Sequence, residues 1–364
     1  MSSWVVAGGG TGGHVTLALA LGEEIARRGE RVLFIGTDRG FEAKLVPDAG
    51  FELVTLPARQ VMGRSIVGAV RGVASILAAA LPARRELARV GADYVLSVGG
   101  YAAMPALLAA RLRGTPVALL EPNAIPGRTN RLAARFARDV FVGLEASKPH
   151  FGRAAARARC VGIPLRRALL ERFARAGERR APASPFRVLV SGGSQGARQI
   201  NDAMVAILSE LAQLPVEVFH QAGESDVPRL EAAYREAQVE ARVVAFERDM
   251  PARYAWADVA ICRAGAITVA ELALAGLPSI LVPYPFAADD HQTANARALE
   301  EAGAALRVDS RALDPEVISD ALGAWFAEPA KLVAMGEAAR RLARPDAAAA
   351  VIDACAARLA EGAA

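Results

Sequence analysis

The chain has 364 residues, 53% hydrophobic, with 43 basic side chains against 39 acidic ones. That length accommodates two domains, and that apolar share suits parallel sheets covered by helices on both faces. Only 5% of residues are aromatic and no nucleic-acid motif occurs, which argues against a nucleic-acid partner. No apolar run reaches the roughly 20 residues of a bilayer span.

Charge is unevenly spread: residues 1–165 carry 21 basic and 12 acidic side chains, net +9, and residues 166–364 carry 22 and 27, net −5. A basic first half points to an anionic surface or substrate there. Cys160, Cys262 and Cys355 are scattered without metal-ligand spacing and read as reduced thiols of a cytoplasmic protein. The first residues lack the basic start of a signal peptide.

Residues 3–7 predict a first strand, and residues 14–28 the helix after it. Between them lie five glycines in six positions, Gly8 to Gly13, with Thr11 among them and His14 following. Such a loop brings backbone N–H groups close to an oxyanion at a helix start. The spacing G-x-G-x-x-G is shared with dinucleotide-binding folds, and Asp38, after a second strand at 31–35, sits where such folds place a ribose-binding acid.

A third strand is expected at 51–56. Residues 65–81 are apolar and alanine-rich, with Arg71 inside and Arg84, Arg85 and Arg89 beyond; they suit a core helix or one lying on a membrane. Strands at 94–98 and 116–120 lead into Gly99-Gly100-Tyr101 and Glu121-Pro122-Asn123, turns of the kind found at a binding crevice.

The first domain is expected to span 1–163, and 178–185 reads as an exposed connection. A second strand–glycine loop–helix unit opens at 186–190 with Ser191-Gly192-Gly193-Ser194-Gln195-Gly196-Ala197. Strands near 216–220, 242–245, 258–262 and 279–282 follow, and the tail from Ala347 is helical. The second domain is expected at 164–344, with a terminal helix at about 345–364 returning to the first.

Cys262 to Glu271 runs from a strand into a helix. Thr268 and Glu271 have capping-box spacing, and the same helix start could meet a diphosphate while Glu271 accepts from ribose hydroxyls. Asp289-Asp290-His291-Gln292 and Asn295 gather polar groups after a later strand; the adjacent acids read as caps rather than a metal site.

GGGTGGH, GGY, EPN, a G-x-P-x-R variant at Gly162–Arg166, GGSQGA, CRAG-A-x-T-x-x-E and DHQ-x-x-NA occur in that order over nearly the whole chain. Together they resemble the MurG family of bacterial N-acetylglucosaminyltransferases. The resemblance implies an α/β, GT-B architecture, two Rossmann-like domains facing across a cleft. It implies inverting transfer of N-acetylglucosamine from UDP-N-acetylglucosamine to lipid I, giving lipid II, without metal or cofactor. Ser194, Gln195, Ala266, Ile267 and Thr268 would then meet the diphosphate or uracil, with Arg166 supporting the leaving group. Glu271 would hold the ribose and Gln292 the sugar. Thr11, Gly12, Gly13, His14 and Asn123 would face the acceptor, with His14 or Glu121 as base. The chain departs from the family pattern on the acceptor side, at Val15-Thr16-Leu17, Ala102-Ala103-Met104, Pro122 and Ile163. The resemblance also implies peripheral attachment to the cytoplasmic face of the inner membrane, an anionic surface, and partners among cell-wall synthesis and divisome proteins. The alternatives are a nicotinamide dehydrogenase, another GT-B enzyme using UDP-N-acetylglucosamine such as a glycolipid glycosyltransferase or an epimerase, and a non-enzymatic membrane adaptor.

Overall fold

The computed structural model describes residues 1–58, 66–174, 181–193 and 195–363, with only the backbone described at 66–71 and 362–363. The chain forms two compact units, Met1–Arg167 with Arg344–Ala364, and Ala168–Ala343.

The first unit holds a parallel sheet of β1 (Ser3–Gly8), β2 (Arg31–Gly36), β3 (Leu53–Thr55), β4 (Tyr94–Gly99), β5 (Val117–Glu121), β6 (Asp139–Val142) and β7 (Ala158–Cys160). Its strand order is β3-β2-β1-β4-β5-β6-β7. β1 reads Ser-Trp-Val-Val-Ala-Gly and is buried along its whole length, as a strand covered on both faces must be. Trp4 and Tyr94 stack across neighbouring strands with ring centroids 5.6 Å apart.

The first helix, α1 (Gly12–Arg27), begins two residues earlier than the sequence pattern implied, because Thr11 is its N-cap. A short α2 (Glu42–Asp48) follows β2. α3 (Ile66–Arg89) runs through Pro82 instead of stopping before it. Its inner face buries Ile76, Ala79, Ala83 and Leu87, while Val73, Leu77 and Leu81 on the other side are 49%, 59% and 55% exposed. The inner face fits the core-helix reading, and the outer face leaves apolar side chains exposed. Among the described residues no helix is long and apolar enough to cross a membrane.

The tail helix Ala347–Ala363 packs on this first unit, burying Val351, Ile352 and Cys355. Arg28 of α1 reaches Asp353 at 2.6 Å. Cys355 lies against Tyr94, whose hydroxyl donates to buried Asp139 at 2.6 Å.

The second unit has a parallel sheet of β8 (Phe186–Ser191), β9 (Val216–Gln221), β10 (Glu240–Val244), β11 (Val259–Cys262), β12 (Ser279–Leu281) and β13 (Ala305–Arg307). The order is β10-β9-β8-β11-β12-β13. Each sheet reverses its order once, between β1 and β4 and between β8 and β11, and each glycine loop follows the strand at that reversal. Open α/β sheets bind ligands beyond the carboxyl ends of such strands. The expected connection 178–185 begins at positions outside the described residues.

Candidate functional site

In the first unit the loop Gly8–Gly13 leads into α1 through Thr11. The Thr11 hydroxyl oxygen accepts from the His14 backbone N–H at 3.4 Å and lies 2.8 Å from His14 Nδ1. With the ring proton on Nδ1, both contacts donate to one oxygen, which has two lone pairs for them. That tautomer carries its lone pair on Nε2. Thr11 and Gly13 are exposed and His14 is partly buried, so these groups sit at the surface of the loop.

Glu121 ends β5 and is 2% exposed. Its Oε1 accepts from Asn123 N and Asn123 Nδ2, each at 3.0 Å, and its Oε2 accepts from Gly127 N at 3.0 Å and Asn130 Nδ2 at 2.9 Å. The carboxylate therefore orients the turn 122–130 and points the Asn123 side chain back along β5. Arg166 lies with the first unit, where its Nε pairs with Glu23 Oε1 at 2.5 Å and Glu23 Oε2 accepts from Arg167 N at 2.9 Å. A guanidinium committed to a carboxylate on α1 offers little net charge to a leaving diphosphate. Asp38 is exposed after β2.

The second glycine loop is held from beneath by two neutral side chains. Ser191 Oγ donates to Gln221 Oε1 at 3.1 Å, Gln221 Nε2 donates to Gly193 O at 3.1 Å, and Gly193 N donates to Ser191 Oγ at 3.4 Å. Gly196 adopts φ +72° against the end of β9, where a Cβ would stand 2.1 Å from Ala222 O. Gln195 is exposed, and Ser194 lies outside the described residues.

A buried network supports the same strand end. His220 Nε2 contacts Asn201 Oδ1 at 3.0 Å and its Nδ1 contacts the Tyr234 hydroxyl at 2.9 Å. Asn201 Nδ2 donates to Ala222 O and Asp226 Oδ2, so Asn201 Oδ1 is the acceptor and His220 carries its proton on Nε2. Burial pushes the His220 pKa down to about 3.

The helix Ala266–Ala275 starts directly after Gly265, which supplies no side-chain cap. The capping-box reading is corrected here: Thr268 is the third residue of the helix, not its N-cap, so Glu271 lies too far in to close a box. The first-turn N–H groups at Ala266, Ile267 and Thr268 are instead the positive end of the helix dipole, a site suited to an anion. Thr268 lines a small pocket with Ser191, Gly193, Tyr254, Cys262 and Arg263, joining the loops after β8 and β11.

Glu271 accepts from the Tyr254 hydroxyl at 2.8 Å, and burial raises its pKa to about 7. Arg263 Nη1 donates to Gln199 Oε1, Val282 O and Pro283 O at 3.0–3.2 Å, fixing the strand end that leads to Tyr284. Gln292 Oε1 accepts from Tyr284 N at 2.9 Å, which ties its amide to the same turn. Asp289 and Asp290 both adopt left-handed φ, +52° and +55°, and Asp290 Oδ1 accepts from Thr293 Oγ1 at 2.8 Å. Neither acid caps the next helix in the expected way. Among the described residues no cluster of three or more His, Cys, Asp or Glu side chains is placed to hold a metal.

The structure thus gathers Thr11 with His14 and Glu121 with Asn123 in the first unit. It gathers Gln195, the helix start at Ala266, Glu271 and Gln292 around the strand ends of the second. Gln221 and Tyr254 were not anticipated, nor were the pairings of Ser191 and Arg263, because these contacts join residues 17 to 64 apart in sequence.

Residues 4–142 match the glycosyltransferase family 28 N-terminal domain, and residues 187–351 match the glycosyltransferase family 28 C-terminal domain. The chain is 42% identical to a UDP-N-acetylglucosamine–N-acetylmuramyl-(pentapeptide) pyrophosphoryl-undecaprenol N-acetylglucosamine transferase of Geobacter metallireducens, over 96% of both chains. It is 45% identical to the protein of the same description from Nitratidesulfovibrio vulgaris, covering 95% of this chain and 94% of that one. Among solved structures, Acinetobacter baumannii MurG matches with TM-score 0.80 at 32% identity, covering 98% of this chain and 99% of that chain. The chain belongs to glycosyltransferase family 28, among the MurG-type N-acetylglucosaminyltransferases.

Proposed function

We propose that the chain transfers N-acetylglucosamine from UDP-N-acetylglucosamine to the muramyl 4-hydroxyl of lipid I, with inversion at the anomeric carbon, to give lipid II. The observation that carries this reading is identity of 42–45% along almost the entire chain to transferases of that description.

Inversion requires the hydroxyl to attack the face opposite the departing UDP. A base must take the hydroxyl proton, and positive potential must meet the leaving diphosphate. The helix start at Ala266 and the loop N–H groups of the second unit supply that potential. Glu271 accepts from the ribose diol while Tyr254 holds its other oxygen, and Gln292 meets the sugar. His14 is the base: Thr11 orients its Nδ1, and in the tautomer that donates from Nδ1 to Thr11 the lone pair lies on Nε2. Glu121 has all its hydrogen bonds directed at its own turn, which suits an orienting role better than proton transfer.

The exposed Val73, Leu77 and Leu81 stripe of α3, followed by exposed Arg84 and Arg85, supports peripheral attachment to an anionic membrane surface, where the lipid acceptor resides. The test is transfer of labelled N-acetylglucosamine from the nucleotide to a lipid I analogue. A lipid-linked disaccharide is expected; conversion of the nucleotide sugar without consumption of lipid I overturns the proposal in favour of an epimerase.

A further inference from the structure

The acid that the first glycine loop uses is not Asp38 but Glu42. Glu42 opens α2 and is 1% exposed. Its Oε2 accepts from Gly10 N at 2.8 Å, and its Oε1 accepts from Thr37 N at 2.9 Å and from the Thr37 hydroxyl at 2.7 Å. Thr37 itself is fully buried. Three glycines make room for the carboxyl-bearing side chain: a Cβ added at Gly9, Gly36 or Gly40 would lie 2.3, 2.6 or 2.0 Å from its atoms.

The place is informative. In a dinucleotide fold the groove between the first glycine loop and the end of the second strand receives the ligand's ribose, and an acid there accepts from its hydroxyls. Here a carboxylate of the chain itself fills that groove and accepts from the protein. The bond to Gly10 N fixes the residue immediately before Thr11, and Thr11 in turn holds His14 Nδ1 at 2.8 Å. A charged hydrogen bond to backbone N–H, buried from solvent, is a strong restraint on a loop whose glycines have little intrinsic stiffness.

We propose that Glu42 is a positioning residue for the transfer reaction: it occupies the groove a nucleotide would otherwise take and fixes the glycine loop so that Thr11 aims His14. This rests on the reading of His14 as the base. Glu42 does not touch the reacting atoms; it acts through Gly10, Thr11 and His14.

The test is a double-mutant cycle on the full chain, with transfer to lipid I followed at saturating UDP-N-acetylglucosamine and nucleotide affinity measured separately by calorimetry. Glu42→Gln keeps the volume but puts an amide N–H₂ against one of its N–H partners, so one side of the brace is lost. It is expected to lower kcat about 10- to 100-fold, the range for a misplaced catalytic group, with nucleotide affinity unchanged. In a His14→Ala background the same substitution should cost less than about threefold, because the group it positions is gone. Thr37→Val, which removes one hydroxyl and keeps the N–H, should lower kcat only a few-fold and so guards against a fold-wide effect. Equal losses from Glu42→Gln in both backgrounds, a parallel fall in nucleotide affinity, or no loss at all overturns the proposal. If wild type transfers to lipid I but His14→Ala is unimpaired, the base assignment falls, and this proposal with it. If His14→Ala is impaired and the cycle shows no coupling, only the role of Glu42 falls.

Discussion

The loop at residues 8–13 is braced by a buried carboxylate, Glu42, whereas the loop at 191–197 is braced by the neutral Gln221 and Ser191. Both begin as an apolar strand running into glycines, and both sit where their sheet reverses strand order. The difference is what lies beneath. A carboxylate bonded to Gly10 N offsets part of the positive potential of the first loop, while the second loop keeps its potential and adds the uncapped helix start at Ala266. Two loops of one signature are thereby suited to different tasks, one to aiming a titratable side chain and one to receiving a diphosphate. Glycine spacing predicts a backbone shape; the side chain that holds the shape decides its electrostatics.

The largest effect that tests this contrast is at the first loop. His14→Ala is expected to lower turnover by roughly 10²–10⁴-fold, the usual range for general base catalysis, with UDP-N-acetylglucosamine affinity nearly unchanged by calorimetry. Loss of affinity in step with turnover would make His14 a binding residue and erase the distinction between the loops.

At the second loop the prediction is reversed. Glu271→Ala should weaken nucleotide binding by about tenfold or more, from loss of a charged hydrogen-bond partner of about 1.5–3 kcal/mol. Because Glu271 caps nothing, the melting temperature should change little; a collapse in stability with affinity per folded molecule intact would restore the capping role.

The raised carboxyl pKa, about 7, adds a pH signature. Ribose hydroxyls donate to the ionised carboxylate, so nucleotide affinity should fall as pH drops below 7. The free protein has two opposing proton linkages. Glu271, raised from 4.5, contributes stability that is present below pH 4.5 and lost as pH rises to about 7. His220, lowered from 6.5 to about 3, contributes stability that is present above pH 6.5 and lost as pH falls toward 3. Between those ordinary values the slopes oppose each other. Glu271→Gln should therefore uncover a fall in stability on acidification, approaching 1.4 kcal/mol per pH unit at about one proton, measured by denaturant unfolding across pH 4.5–6.5. An unchanged slope in the variant breaks this account.

Reversing Arg84 and Arg85 to Glu should weaken binding to anionic vesicles by about 30-fold or more at low salt, since each basic group near such a surface contributes about 1 kcal/mol, while solution turnover of a short-chain acceptor stays near wild type. Binding as tight as wild type would leave only the apolar stripe of α3 as the anchor. The smallest effect is expected at Arg166. Arg166→Gln breaks the partly exposed pair with Glu23; it should cost at most about 1 kcal/mol of stability and leave nucleotide affinity unchanged. A strong loss of that affinity would return Arg166 to the leaving-group role that the motif implied.

Much of the fold was legible because burial on both faces leaves a clear mark: β1, β4, β5 and β8 are mostly apolar, interrupted by exposed Arg187 in β8 and buried Ser97 in β4, and each ends in glycine or a turn. The glycine loops, and the positions of His14 and Glu271 beside strand ends, could be read for the same local reason. What escaped is non-local. Glu42 is 32 residues from Gly10 and Tyr254 is 17 from Glu271, and no periodicity records either pairing. The capping-box reading failed differently: the spacing was correct, but the helix begins at Ala266, which moves Thr268 inside the first turn. The Arg166 motif names a position without naming the carboxylate, Glu23, that meets it here.

The tail helix has a consequence for the way the molecule is made. A ribosome delivers β1 to β7 first, yet the unit they form also contains Arg344–Ala364, including Asp353 against Arg28 and Cys355 against Tyr94. Every residue of Ala168–Ala343 is synthesised before those contacts can form. The second unit needs no residue beyond Ala343, whereas the first needs the tail helix, which is made after every residue of the second. The Tyr94 surface that Cys355 covers stays open until that helix is made, so the unit that is begun first is completed after the other has been synthesised.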